Sequence, residues 1–132
     1  MSVVFDTNVL ISATLWHGSV AQKLLAKLIQ TNTKIFSSTE ILSEYQKVLI
    51  RDFDYAGQEL VYIMEKVLAV VTLVKPVQKV IAVEKDPDDN KIIECALAAA
   101  SNYIITYDKH LLNIGQFDGI EIITPELALK II

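Results

Sequence analysis

Cysteine is almost missing from this chain. Cys95 is the only one in 132 residues, so no intramolecular disulfide can form and thiol redox chemistry has little support. Its helical neighbours Ile92, Ala96 and Ala99 read as the surroundings of a core thiol. Glycine and proline are scarce, at four and three residues, which excludes a collagen-like or low-complexity chain. The composition of 52% hydrophobic against 21% charged residues favours a dense, helix-rich core over disorder. No apolar run approaches the roughly 18 residues of a membrane helix. Positive charge is in deficit too: the formal net charge of −4 does not advertise a surface that tracks phosphates. Clustered carboxylates would themselves create such a deficit, and a bound cation would neutralise them locally. The two histidines, His17 and His110, lack zinc-type spacing. Met1 runs straight into a strand pattern with no charged region or small-residue cleavage site, so a cytoplasmic location is expected.

What is present reads as one domain over 1–132, large enough to remove roughly two-thirds of its unfolded surface from water. Strand-like runs alternate with segments of helical period. Val3 to Phe5, Lys34 to Phe36, Val71 to Val74, Tyr103 to Thr106 and Ile120 to Ile123 read as strands. Helices are expected from Val20 to about Ile29, from Thr39 to about Ile50 after a Ser37/Glu40 capping box, and from about Gly57 to Val70. Further helices should run from Asp86-Pro87 to about Ala100, briefly near Leu111, and from Pro125 to the end. Strands separated by helices argue an α/β fold, a parallel sheet covered on both faces.

Asp6, Glu44, Asp89 and Asp108 carry the chemistry. Asp6 closes the first strand and Asp108 follows the fourth, which places both at the carboxyl edge where open α/β sheets bind ligands. At about 100° per residue, Asp89 points along the apolar stripe of Ile92, Ile93, Ala96, Leu97 and Ala100. Glu44 stands beside Ile41 and Val48 at the margin of its own stripe. A carboxylate withdrawn from water needs a partner, and no lysine or arginine occupies the same stripes. A divalent metal with a preference for oxygen ligands is the economical solution. Each acid also has a purely local reading. Asp6 and Asp108 could cap helices, Asp86 reads as an N-cap, Asp88 suits a first helical turn, and Glu44 alone could be a solvated charge. Glu94, about 140° from the apolar centre of its helix, reads either as a surface charge or as a support for the other acids.

Four segments in order, Asp6-Thr7-Asn8-Val9-Leu10, Ser43-Glu44-Tyr45, Asp86-Pro87-Asp88-Asp89-Asn90-Lys91 with its alanine-rich helix, and Tyr103-Ile104-Ile105-Thr106-Tyr107-Asp108, resemble the PIN-domain nucleases over essentially the whole chain. The likeness is to the small VapC-like toxins of type II toxin–antitoxin pairs. It implies a three-layer α/β/α sandwich with a mostly parallel sheet, and a Mg²⁺- or Mn²⁺-dependent ribonuclease that hydrolyses RNA through metal-activated water. It makes Asp6, Glu44, Asp89 and Asp108 the catalytic and metal-binding acids, and Asn8 and Thr106 polar supports. Adjacent Asp88 and Asp89 both align with the third acid; the wheel favours Asp89. Lys91, Lys109, His110 and Arg51 lie near these motifs as candidate contacts to the RNA backbone. The resemblance further implies a small antitoxin partner and a homodimer. Three rivals stand beside it. A receiver-type signalling domain would need an acidic pair after its first strand, an Asp-x-Asp phosphatase would need an acid where Asn8 stands, and a PIN-like interaction module would need no catalysis.

The segment Leu60, Val61, Ile63, Met64, Val67, Leu68 and Val71 bears on assembly. Its apolar stripe spans roughly 180°, wider than the roughly 100° of a surface helix packed on one side. Either a neighbouring helix or a second subunit should cover the excess.

Overall fold

The computed structural model describes residues 1–81 and 87–132. In chain order the elements are β1 (Ser2–Phe5), α1 (Thr7–Leu15), α2 (Val20–Gln30), β2 (Lys34–Ser37), α3 (Thr39–Phe53), α4 (Gly57–Val70) and β3 (Thr72–Leu73). A 3-10 turn at Pro87–Asp89 then leads into α5 (Asn90–Ala99), β4 (Tyr103–Ile105), α6 (Lys109–Ile114), β5 (Gln116–Phe117), β6 (Ile120–Ile123) and α7 (Pro125–Ile131). Six strands form one sheet in the order β3-β2-β1-β4-β6-β5, parallel except for β5 against β6.

Both sheet faces are covered, which is why its central strands read as unbroken apolar runs. Val3, Phe5, Ile35, Ile105 and Ile123 point to one side, into a core shared with α1, α2, α4 and α7. Val4, Ile104 and Ile122 point to the other, against Ile92, Ile93 and Ala96 of α5 and Leu111 of α6. The result is a three-layer α/β/α sandwich. Cys95 lies in the second core, where burial pushes its thiol up to about 12 and keeps it unreactive at neutral pH.

From β1 the chain builds outward through β2 and β3, then crosses back to place β4 and β6 on the other side. The order therefore reverses between β1 and β4, and at such a switch point the loops leaving the two strands diverge and open a crevice at the carboxyl edge. The ladders fix what lies there. Phe5 pairs with Ile105 and Ile105 with Ile123, and the next residues stay in register through Asp6 N–H donating to Ile105 O at 3.1 Å and Thr106 N–H to Ile123 O at 2.9 Å.

Local chemistry departs from the sequence expectation in several places. The N-cap of α3 is Ser38, whose hydroxyl accepts from Ile41 N–H at 3.2 Å, while Ser37 is the buried last residue of β2. β5 is a two-residue strand in a hairpin turned by Asp118 and Gly119, at φ 50° and 83°. Positive φ at both turn positions suits an Asp-Gly pair. The expected N-cap Asp86 lies outside the described residues. Glu94 is not a surface charge: it is buried, accepts from Val80 N–H at 3.0 Å and stands 3.9 Å from Lys79 Nζ, tying the segment after β3 to α5, and it does not line the crevice at the carboxyl edge.

Candidate active site

A polar crevice of about 190 Å³ opens at the carboxyl edge and is lined by Asp6, Thr7, Asn8, Glu44, Arg51, Asp88, Asp89 and Asp108, with Val48 and Ile92 at its apolar margin. Four elements supply the acids. Asp6 bridges β1 and α1, Glu44 sits in the second turn of α3, Asp89 ends the 3-10 turn at the start of α5, and Asp108 bridges β4 and α6. A larger apolar cavity of about 580 Å³ between α1, α2 and α4 shares no residue with this crevice.

Asp6 is the most buried of the four acids. It is only 5% exposed and caps α1 by accepting from Val9 N–H at 2.8 Å, while its other oxygen accepts from the Thr106 hydroxyl. Burial raises its pKa from 3.8 to about 6, against the opposing hydrogen bonds from Thr106 and Val9, and the charges of Asp108 and Glu44 add to the rise. Asp108 caps α6, accepting through Oδ1 from His110 N–H at 2.8 Å and Leu111 N–H at 3.1 Å, and its own N–H donates to Thr106 Oγ1 at 2.9 Å. Thr106 thus joins the two acids directly. The capping reading and the site reading coincide here, since a cap fixes the carboxylate at the mouth of the crevice.

Glu44 departs from the sequence expectation. Its side chain is half-buried, but it does not lack a cation: Lys91 Nζ lies 2.9 Å from Oε2, and the Thr7 hydroxyl donates to Oε1. Burial works against ionisation of Glu44, yet the hydrogen bonds from Thr7 and Lys91 and the charges of Lys91 and Arg51 outweigh it and hold the pKa below 4.5. The wheel of α3 does carry cations near Glu44, Lys47 three residues on and Arg51 seven residues on along its own stripe, but the ammonium that pairs with it reaches across from α5. Thr7 is a site residue that sequence reasoning passed over. Its place one residue after Asp6, at the first position of a helix facing the crevice, was the available signal.

The candidate RNA-contact residues separate. Lys91 is committed to Glu44, and Arg51 lines the crevice while gripping its neighbour Asp52 at 2.8 and 2.9 Å. Lys109 is exposed and His110 half-buried on α6, and neither lines the crevice. Asn8 is exposed at the crevice wall, whereas Thr106 is fully buried beneath it.

The donors are oxygen atoms, the chemistry that Mg²⁺ and Mn²⁺ prefer. Among the described residues, however, no three His, Cys, Asp or Glu side chains stand together as a ready ligand group.

The fold is a parallel α/β/α sandwich with an acid-lined crevice at the switch point of its sheet. A family model of the PIN domain matches residues 2–110, and the chain belongs to that family, a class of nucleases. Among solved structures, the chain resembles VapBC2 from Rickettsia felis bound to a DNA fragment from its promoter, with a TM-score of 0.66 at 15% identity, covering 92% of this chain and 97% of that one. No curated relative matches the sequence.

Proposed function

We propose that this PIN domain is a Mg²⁺- or Mn²⁺-dependent ribonuclease acting as the toxin of a toxin–antitoxin pair. The observation that carries this reading is the convergence of Asp6, Glu44, Asp89 and Asp108 on one polar crevice at the carboxyl edge of the sheet. Asp6, Glu44, Asp89 and Asp108 would hold the ion, with Asn8 at the wall and Thr106 orienting Asp6 and Asp108. The chemistry such an ion would supply when bound is Lewis-acid charge for the scissile phosphate and for an attacking water. The protein's own part is to fix the acids. Two of them, Asp6 and Asp108, are locked by helix N-termini, so little reorganisation is needed at β1 and β4, while Glu44 on α3 is held by Thr7 and Lys91. Attack by water with cleavage of the bond between phosphorus and the 3′-oxygen would leave a 3′-hydroxyl and a 5′-phosphate, with no covalent enzyme intermediate. Arg51 and Lys109 are the cations exposed near the mouth that can meet the RNA backbone.

The purified chain is expected to cut single-stranded RNA with Mn²⁺ or Mg²⁺ present and to stop when EDTA is added. The Glu44–Lys91 pair favours a second reading, an interaction module without catalysis. Absence of cleavage at saturating Mn²⁺ across several RNAs would select it.

The protein counterpart of such a toxin is a small antitoxin, working with it in the cytoplasm, and the VapBC2 complex is one structural relative that carries both components. A homodimer is the proposed assembly. On α4, Ile63 and Val67 face the core, but Val61 and Leu68, one stripe apart by seven residues, are 51% and 47% exposed. Apolar side chains aligned in this way on an outer helix suit a two-fold interface. Light scattering at micromolar concentration should give the dimer mass, and Val61→Glu should shift it to monomer. A monomeric wild type rejects the dimer, and a Val61→Glu dimer removes α4 from the interface.

A further inference from the structure

We propose that Lys91 is an internal counter-cation of the acidic crevice, holding Glu44 until a divalent metal ion displaces it. The inference rests on the metal-centre reading and adds a role that the carboxylates alone do not specify.

Its first support is placement. Lys91 is the second residue of α5, where the positive end of the helix dipole disfavours a cation. Helix stability therefore gives no reason for lysine here. Its side chain is nonetheless drawn in, to 19% exposure, and its ammonium ends 2.9 Å from Glu44 Oε2 across the gap between α5 and α3. The acidic charge around the crevice compensates for the unfavourable position.

The second support is the way Glu44 is occupied. One of its oxygens accepts from Thr7 and the other from Lys91. Both oxygens therefore already have a donor, so an ion that takes Glu44 as a ligand has to replace one of these contacts. The Thr7 hydroxyl is neutral and can remain. The Lys91 ammonium and a divalent cation repel each other at such distances, so Lys91 is the group that must leave. Its charge meanwhile limits the repulsion among the carboxylates that line the crevice in the metal-free protein. Lys91 is thus a positioning residue with opposite effects on the two states: it stabilises the metal-free crevice and weakens metal binding.

The test is Mn²⁺ titration of the metal-free full chain by calorimetry, without RNA, alongside thermal melts in EDTA and in Mn²⁺. Lys91→Met keeps the apolar stem and removes the charge. It should bind Mn²⁺ about tenfold more tightly than wild type, melt lower in EDTA, and show a larger rise on adding Mn²⁺. Lys91→Arg keeps the charge and should return the affinity toward wild type, which a loss of packing alone would not predict. Lys91→Gln provides the same readout should the methionine variant fail to fold. Unchanged or weaker Mn²⁺ binding in the neutral variants overturns the counter-cation and leaves the metal centre standing. A wild type that binds no Mn²⁺ overturns both.

Discussion

Asp6→Asn is expected to abolish metal-dependent RNA cleavage while the fold survives. Asparagine can keep the cap on Val9 N–H through its amide oxygen, and its amide nitrogen can face the Thr106 hydroxyl, so the packing at the end of β1 is conserved. Only the charge is lost. Burial, more than any neighbour, raises the carboxyl pKa from 3.8 to about 6, which means that the folded protein holds this proton more tightly than the unfolded chain does. The stability linked to Asp6 is therefore present at and below pH about 3.8 and lost as pH rises through about 6, an effect of roughly 3 kcal/mol. In EDTA, the variant should melt at or above wild type at pH 7, and its melting should lose the part of the pH dependence that this group causes. In Mn²⁺ the order should reverse, because an ion that binds only the folded state raises its stability and the variant forfeits most of that gain. Full ribonuclease activity in Asp6→Asn would sink the assignment of the crevice.

The central strands and their two edge acids were legible in the sequence for a physical reason. Val3-Val4-Phe5 and Tyr103-Ile104-Ile105 are covered on both faces, so they appear as short continuous apolar runs, and the polar residue that ends each run marks the sheet edge. Helix α1 (Thr7–Leu15) was not among the helices expected from the sequence. Thr7, Val9, Leu10, Ile11, Ser12 and Ala13 are all buried, which leaves little amphipathic period to read. The hairpin of β5 and β6 was announced only by Asp118-Gly119 beside a two-residue strand, too short for alternation to register. The Ser37–Ser38 cap shows the usual one-residue uncertainty where two serines compete for the same role. Glu44 and Lys91 mark the deeper limit. A wheel gives directions within one helix, while a lysine stem reaches across to another, and 47 residues separate this pair in the chain. The paired charge could be found only by packing α5 against α3. The same long reach makes lysine suited to a contact that must be surrendered when another cation arrives.

The third acid can be decided by mutation. Asp88 and Asp89 both line the crevice, but Asp88 is exposed and Asp89 half-buried. Asp89 lies three, four and seven residues before Ile92, Ile93 and Ala96, which are almost fully buried against the sheet, so its helical direction is theirs. Asp88, one residue earlier in the turn before α5, is offset by about 100° from that direction and contributes charge favourable to the helix N-terminus, worth about 0.3–1 kcal/mol. Asp88→Asn should therefore lose a little stability and keep most of its turnover. Asp89→Asn should lose more than the roughly 10- to 100-fold typical of groups that merely support a metal ligand, with Mn²⁺ affinity falling alongside activity and the melt in EDTA little changed. Measuring residual cleavage and Mn²⁺ affinity in the two purified variants ranks the acids. An inactive Asp88→Asn beside an active Asp89→Asn would transfer the role to Asp88, and with it the claim that the buried face of α5 aims the third carboxylate would fall.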